Sequence, residues 1–252
     1  PGTDETTILK VTQSSGVTRK ESLLGHWPFN GDSKDASGKG NNGKVYGAKL
    51  TQDRFGKQNA AYFFDGKDDY VDFGNSSAFN TLPLTVTAWF KSNGNSNESG
   101  IVSKYRAAAW NGWQVMEWDS KIVPWYIRSY NQRIIGKYGE PKTFETPIEK
   151  KNEWNHLACV FDGKGGNLYL NGQSKDTKGW TGNPAAPTSG YSLNVGRYAG
   201  GGFFNGHVDE VRVYGSSLTA DEILSVYQED GKADSPFRFS LQTPVKLAPG
   251  KG

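Results

Sequence analysis

The sequence predicts an all-β fold, two antiparallel sheets packed as a sandwich and closed by one short helix near the C-terminal end. Three observations carry this. Aromatic residues make up 13% of the chain and glycines number 32 in 252 residues, a composition of many strands joined by tight turns rather than of a helical bundle. Roughly a dozen short runs with apolar alternation recur at even spacing, as a two-sheet sandwich requires. Residues 206–224 read as a strand that delivers the chain into a capped helix.

Taken in order, residues 1–22 are polar, with only a few apolar side chains to bury, and are expected to form a leader or an edge strand. From Leu23 the character changes: Leu24-Gly25-His26-Trp27-Pro28-Phe29 starts a strand and runs into a loop, residues 30–43, of Gly, Asp and Asn. Strands are expected at 60–64 and 70–73 around the turn Asp65-Gly66-Lys67-Asp68-Asp69, then at 84–91, 100–104, 113–118, 122–128, 132–137, 154–161, 167–170, 191–196 and 203–214. Asn171-Gly172 after Leu168-Tyr169-Leu170 predicts a type I′ hairpin. In the last strand Asp209, Val211 and Val213 alternate with Glu210, Arg212 and Tyr214, and the out-of-phase Val208 predicts a bulge. Thr219 with Glu222 makes a capping box, and Leu218 with Ile223 a hydrophobic staple. Residues 231–252, rich in Pro, Gly and Lys, read as a tail or linker.

No fixed-period repeat supports a propeller or solenoid, and no apolar run is long enough for a membrane-spanning helix. The net charge of +3, from 29 basic and 26 acidic residues, is too balanced to argue for nucleic acid. Cys159 is the single cysteine, which excludes an internal disulfide and predicts a buried thiol. Opening at Pro1 without a start Met or signal peptide, the chain is expected to be a module excised from something longer.

Several segments occur in a telling order: Trp27-Pro28-Phe29-Asn30-Gly31-Asp32, Ala61-Tyr62-Phe63-Phe64-Asp65-Gly66 with Tyr70-Val71, Leu84-Thr85-Val86-Thr87-Ala88-Trp89-Phe90, Trp154-Asn155-His156-Leu157-Ala158, Leu168-Tyr169-Leu170-Asn171-Gly172, and Phe204-Asn205-Gly206-His207-Val208-Asp209-Glu210-Val211-Arg212-Val213-Tyr214. Together they resemble the LamG-like jelly roll of the concanavalin A-like lectin/glucanase superfamily. The resemblance implies a jelly-roll sandwich over residues 23–230. It also implies a structural calcium between the first loop and the last strand, held by Asp32, Asp35 and Asn42 on one side and Asp209 on the other; carboxylate and amide oxygens suit that ion. The same sandwich serves lectins, binding modules, adhesion domains, lyases and glycosidases, so function must be argued from sites.

One candidate site is the stretch 104–138, where rings alternate with cations. Sugars present apolar C–H faces that stack on rings and hydroxyls that need polar partners. If Val123, Trp125 and Ile127 face the partner sheet, Tyr126 and Arg128 face outward, as does Trp118 one strand earlier. Lys104, Arg106, Trp110, Arg197 and Tyr198 are expected to complete that surface. Glu117-Trp118-Asp119 resembles the start of the Glu-x-Asp-x-x-Glu strand of related glucanases, but Ser120, Lys121 and Ile122 occupy the region of the second Glu, so no catalytic pair is expected. His156 is expected to be a satisfied core residue, and His26 and His207 start strands without a Tyr partner for lyase chemistry. The expectation is a non-catalytic, calcium-stabilised carbohydrate-binding module of a secreted, multidomain glycan-degrading protein, its ligand a polysaccharide bearing uronate or sulfate. A protein-interaction or adhesion domain is the competing expectation, with a lyase or glycosidase third.

Overall fold

Strand β18 (Asn205–Tyr214) is hydrogen-bonded to three other strands, and the sandwich is arranged around it. A computed structural model describes residues 19–94, 97–136, 144–199 and 201–230, so the expected leader up to Ser22 and the tail lie outside it except for residues 19–22. The first sheet runs β14 (Gln173–Gly179), β13 (Gly165–Leu170), β12 (Asn155–Phe161), β6 (Leu84–Ser92), β18, β4 (Ala61–Asp65), β3 (Lys49–Thr51). Strand β1 (Leu23–Trp27) also pairs with β18, antiparallel like every pair in this sheet. The second sheet runs β10 (Gln132–Ile135), β9 (Lys121–Ser129), β8 (Asn111–Trp118), β7 (Ser99–Arg106), β15 (Asn194–Val195), β5 (Tyr70–Asp72), β2 (Lys44–Tyr46), with β11 (Thr146–Pro147) on β9. A small hairpin, β16 (Arg197–Tyr198) and β17 (Gly201–Phe203), completes an all-β jelly-roll sandwich.

The inner faces meet in one core, to which the first sheet contributes Val86, Ala88, Phe90, Leu157, Val211 and Val213, and the second Val102, Trp113, Val115 and Tyr126. Cys159 is fully buried there, as expected, and burial raises its thiol pKa. Asn171 and Gly172 both have positive φ, 52° and 76°, which a type I′ turn demands of its two central residues. Strand β14 was not expected because its sequence is polar; it is an edge strand, where charges such as Lys175 and Lys178 discourage pairing with other chains. Among the described residues no helix is long and apolar enough to cross a membrane.

The bulge in β18 falls between Asp209 and Arg212, with Glu210 at φ 49°. Its extra residue puts Asp209 and Glu210 together on the outer face, while Val208 and Val211 both reach the core. Asp209 was expected to share the face of Val211, and the bulge is the reason it does not. On the outer face the Asp209 carboxylate accepts from Arg54 Nη1 at 2.5 Å, both side chains being buried. Glu210 pairs with His26 at 2.7 Å and Arg212 at 2.8 Å, and Arg212 reaches Asp230 at the end of helix α1 (Ala220–Asp230). Burial, reinforced by Glu210, raises the pKa of the Asp209 carboxyl, and Arg54 opposes the rise. Burial works against Glu210 as well, but His26 and Arg212 hold it down at about 2.

Helix α1 forms as its sequence predicts: Thr219 Oγ1 accepts the N–H of Glu222 at 3.2 Å, and Glu222 Oε2 accepts the N–H of Thr219 at 2.8 Å. Leu218 and Ile223 are buried in one cluster with Tyr214, Val226, Ala158 and Val160, so the helix covers the outer face of the first sheet. Beneath it, His156 lies against Trp89 at 5.3 Å and Tyr227 at 5.7 Å. It is a core residue but not a satisfied one: neither ring nitrogen has a hydrogen-bond partner among the described residues. Desolvation, with Arg212 and Arg54 nearby, lowers its pKa to about 3.

Two outcomes follow from this packing. Arg54→Ala leaves Asp209 buried without its cation and is expected to cost about 3 kcal/mol in urea denaturation, with Asp209→Asn in the same chain recovering a large part; no recovery would show that Arg54 acts through its other contacts, the Asp230 carbonyl and the Phe55 and Trp89 rings. The unfolded chain takes up a proton at His156 near pH 6.5 while the folded chain resists until about 3, so stability falls as pH drops through that window. His156→Phe should flatten the stability–pH slope there by at most about 1.4 kcal/mol per pH unit, and an unchanged slope would remove His156 as its cause.

Candidate functional site

Residues opposite one another in neighbouring strands share a face, and in β8 and β9 Trp113 lies opposite Tyr126 while Gln114 lies opposite Trp125. Trp113 is in the core, so Tyr126 is too: it is fully buried, 5.0 Å from the Phe161 ring, and its hydroxyl donates to the carbonyl of Thr81 at 2.5 Å. The outward placement expected for Tyr126 is therefore corrected, and that of Val123, Trp125 and Ile127 is reversed. These three pack with Tyr105, Met116 and Ile135 on the far side of the sheet, against the partly buried Trp110 and Trp118. With both faces apolar, alternation cannot tell which of them meets the partner sheet.

Lys104 also leaves the expected surface. In register with Trp113, it is fully buried, its Nζ donates to the carbonyl of Tyr191 at 2.6 Å, and desolvation lowers its pKa to about 8. Arg197 stands apart, with its guanidinium 3.3 Å above the Tyr70 ring. Tyr70 stacks on Tyr46 at 4.4 Å, and Lys44 lies 5.0 Å from that second ring.

Arg106 and Arg128 do come together, at the end of the second sheet where β8 begins. Asn111 ties them together: its Nδ2 donates to the Arg128 carbonyl at 3.0 Å and to Thr188 Oγ1 at 3.2 Å, and its Oδ1 accepts the Thr188 N–H at 2.9 Å. Arg128 Nη1 donates to Thr188 Oγ1 at 3.3 Å, and Arg106 Nη1 to the Tyr191 hydroxyl at 3.0 Å. Both guanidiniums are thus oriented by hydroxyls, and among the described residues neither is paired with a carboxylate. Trp110 belongs to the other face: held at φ 47°, it stacks over Trp125 at 6.5 Å and meets Tyr130 edge-on at 5.9 Å. Tyr130 is 64% exposed, with the Arg133 guanidinium 4.3 Å from its ring. Tyr130 is not among the expected site residues, although a ring at a hairpin tip, in Ser129-Tyr130-Asn131-Gln132, has no core to enter.

Trp118 and Tyr198 come together elsewhere, in an open cleft of about 720 Å³ at the other end of β8. Glu117, one residue before Trp118, turns inward between the sheets, fully buried, and accepts from Ser92 Oγ at 2.6 Å. Asp119 follows in a left-handed turn at φ 52°, so the Glu117-Trp118-Asp119 segment does not present two carboxylates to one cavity.

The residues implied for calcium do not form one site. Asp35 Oδ1 accepts the N–H groups of His26 and Ser37, its Oδ2 that of Asn41, and Asn42 Oδ1 that of Asp35. Asp32 is bonded to the N–H of Lys34 and paired with its Nζ at 2.9 Å. Asp209 is taken by Arg54 and the Glu210 N–H. These oxygens act as turn caps and as an ion-pair partner, and they do not fit a shared cation. A different trio, Asp65, Asp68 and Asp69, brings one oxygen each within 4.8 Å of the others.

Among solved structures the fold is similar to domain 4 of AbnA, a GH43 extracellular arabinanase from Geobacillus stearothermophilus in complex with arabinotriose, at 19% identity and a TM-score of 0.62, covering 82% of this chain and 98% of that one. It is also similar to the binding domain of Paraclostridial Mosquitocidal Protein 1, at 18% identity and a TM-score of 0.65 over 84% of this chain. The binding domain of botulinum neurotoxin serotype D follows at 15% identity and a TM-score of 0.61 over 86% of this chain. The match spans about half of each toxin structure, 53% in both. A search of curated proteins finds no match. The model of one family, described as the concanavalin A-like lectin/glucanases superfamily, matches residues 65–224, more than half of the sequence. Fold and family model agree, and the chain belongs to the concanavalin A-like lectin/glucanase superfamily.

Proposed function

We propose that this chain is a non-catalytic carbohydrate-binding domain of a secreted, multidomain polysaccharide-degrading protein, and that its ligand is an acidic glycan bound at the arginine end of the second sheet. The observation that carries this reading is the pair of guanidiniums, Arg106 and Arg128, held by hydroxyls and without carboxylate partners among the described residues, at the sheet end that also carries the partly buried Trp110 and the exposed Tyr130. A guanidinium pairs bidentately with a carboxylate or sulfate, and a ring takes the apolar face of the adjoining sugar. Similarity to a domain of an extracellular arabinanase supports the tethered, extracellular setting. The burial of Glu117 supports a binding rather than a hydrolytic role, since a glycosidase needs two carboxyl groups flanking one glycosidic bond.

Affinity electrophoresis in polygalacturonate tests this. Arg106→Gln with Arg128→Gln should weaken retention at least tenfold, about 1.4 kcal/mol, with an unchanged melting temperature. Tyr130→Ala should weaken it by a smaller factor, and wild-type retention should decline with added salt, because exposed charges are screened. Undiminished retention of the double variant would sink the assignment of this end, and no retention of any polysaccharide by the wild type would favour a protein partner instead.

A further inference from the structure

The strand that begins at the arginine end finishes at a second concavity of opposite character. Asn111 and Trp118 are the two ends of β8, separated by about 23 Å along an extended strand. Around Trp118 lies the cleft of about 720 Å³, within the range of small-ligand sites. Its rings are Trp118, Tyr198 and Phe203, all partly exposed. Tyr198 is seated against Gly202, where a Cβ would stand 2.1 Å from the ring, so glycine at φ 60° is what lets the ring approach the hairpin backbone this closely. Glu98 hydrogen-bonds Tyr198, and the β8–β9 turn that follows Trp118 is held by two left-handed residues, Asp119 and Ser120. The platform is therefore organised before any ligand arrives.

Its electrostatics exclude what the other end attracts. Asp65 and Glu98 line the cleft with the Asn205 amide, and no lysine or arginine is among the described lining residues. Carboxylates accept hydrogen bonds from sugar hydroxyls and repel uronate or sulfate groups, while the rings stack on pyranose or furanose faces.

We infer that the cleft formed by Trp118, Tyr198, Phe203, Asp65 and Glu98 is a second saccharide-binding site, selective for neutral sugars, so that the domain carries two glycan sites of opposite charge preference. The inference builds on the carbohydrate-binding reading but assigns a different site and a different ligand class. A neutral chain in the cleft and an acidic chain at the arginine end would be held by one rigid sheet, which suits a mixed polysaccharide matrix.

The test uses the full chain in affinity electrophoresis against neutral arabinan, xylan and mixed-linkage β-glucan in parallel with polygalacturonate. Trp118→Ala is expected to reduce retention by at least one neutral polymer tenfold or more and to leave polygalacturonate retention unchanged, whereas Arg106→Gln with Arg128→Gln should do the reverse. Because Trp118 also packs against the sheet, Phe203→Ala serves as a second variant: it removes another ring of the cleft and should likewise abolish neutral retention. Three outcomes would overturn the inference: wild-type retention by polygalacturonate but by none of the neutral polymers, neutral retention that survives both cleft variants, or neutral retention lost on arginine substitution. The last would place both ligand classes at one end. Loss of polygalacturonate retention alone in the arginine variant, with neutral binding intact, would leave the two assignments standing separately.

Discussion

The bulge in β18 is the constraint on which the rest of this sandwich depends. A regular strand would alternate Asp209 and Val211 to one face, burying a carboxylate in the core or pushing a valine out of it. One extra residue resolves the conflict by sending Asp209 and Glu210 outward together while Val208 and Val211 stay inside. The two carboxylates then organise three other parts of the chain: Arg54 from the loop after β3, His26 from β1, and Arg212, which continues to Asp230 at the end of helix α1. Buried ion pairs of this kind contribute little net stability, since desolvation offsets much of the attraction, but removing either partner is costly.

A closed sandwich also restricts where recognition can occur. The inner faces form the core, the helix covers one outer face, and the outer face of the second sheet carries its own apolar cluster of Tyr105, Met116, Val123, Trp125, Ile127 and Ile135. Partly exposed rings accordingly gather where strands end and turn: Trp110 and Tyr130 at one end of the second sheet, Trp118, Tyr198 and Phe203 at the other. The charges separate the same way, with Arg106 and Arg128 at the first end and Asp65 and Glu98 at the second. The near-zero net charge of the whole chain conceals this division, because sequence composition averages over positions that the fold sets far apart.

Local signals in the sequence were reliable where the physics is local. The capping box at Thr219, the left-handed pair Asn171-Gly172 and the burial of Cys159 each follow from interactions within a few residues or within one strand. The face a side chain takes is not a local property. Tyr126 and Trp125 are adjacent aromatics in a strand apolar on both sides, and only the register with Trp113 and Gln114 decides which one enters the core. Lys104 looked like a surface cation, and its burial rests on a carbonyl supplied by Tyr191, far along the chain. The loop acids looked like metal ligands because capping oxygens and coordinating oxygens are the same chemical groups; their commitment to backbone N–H groups and to Arg54 is visible only once the loop is closed.

By itself, then, the sequence determined the all-β sandwich, the order and approximate limits of most strands, the terminal helix and the segment from which exposed rings and cations would come, since alternation, turn chemistry and capping act over short stretches of chain. The tertiary structure alone decided which ring faces the core, which carboxylate is paired, and that of the predicted recognition residues Lys104 and Tyr126 are buried while the others separate to different parts of the fold. Those outcomes depend on strand register and on contacts between residues remote in sequence, and a shift of one residue in register exchanges inside for outside.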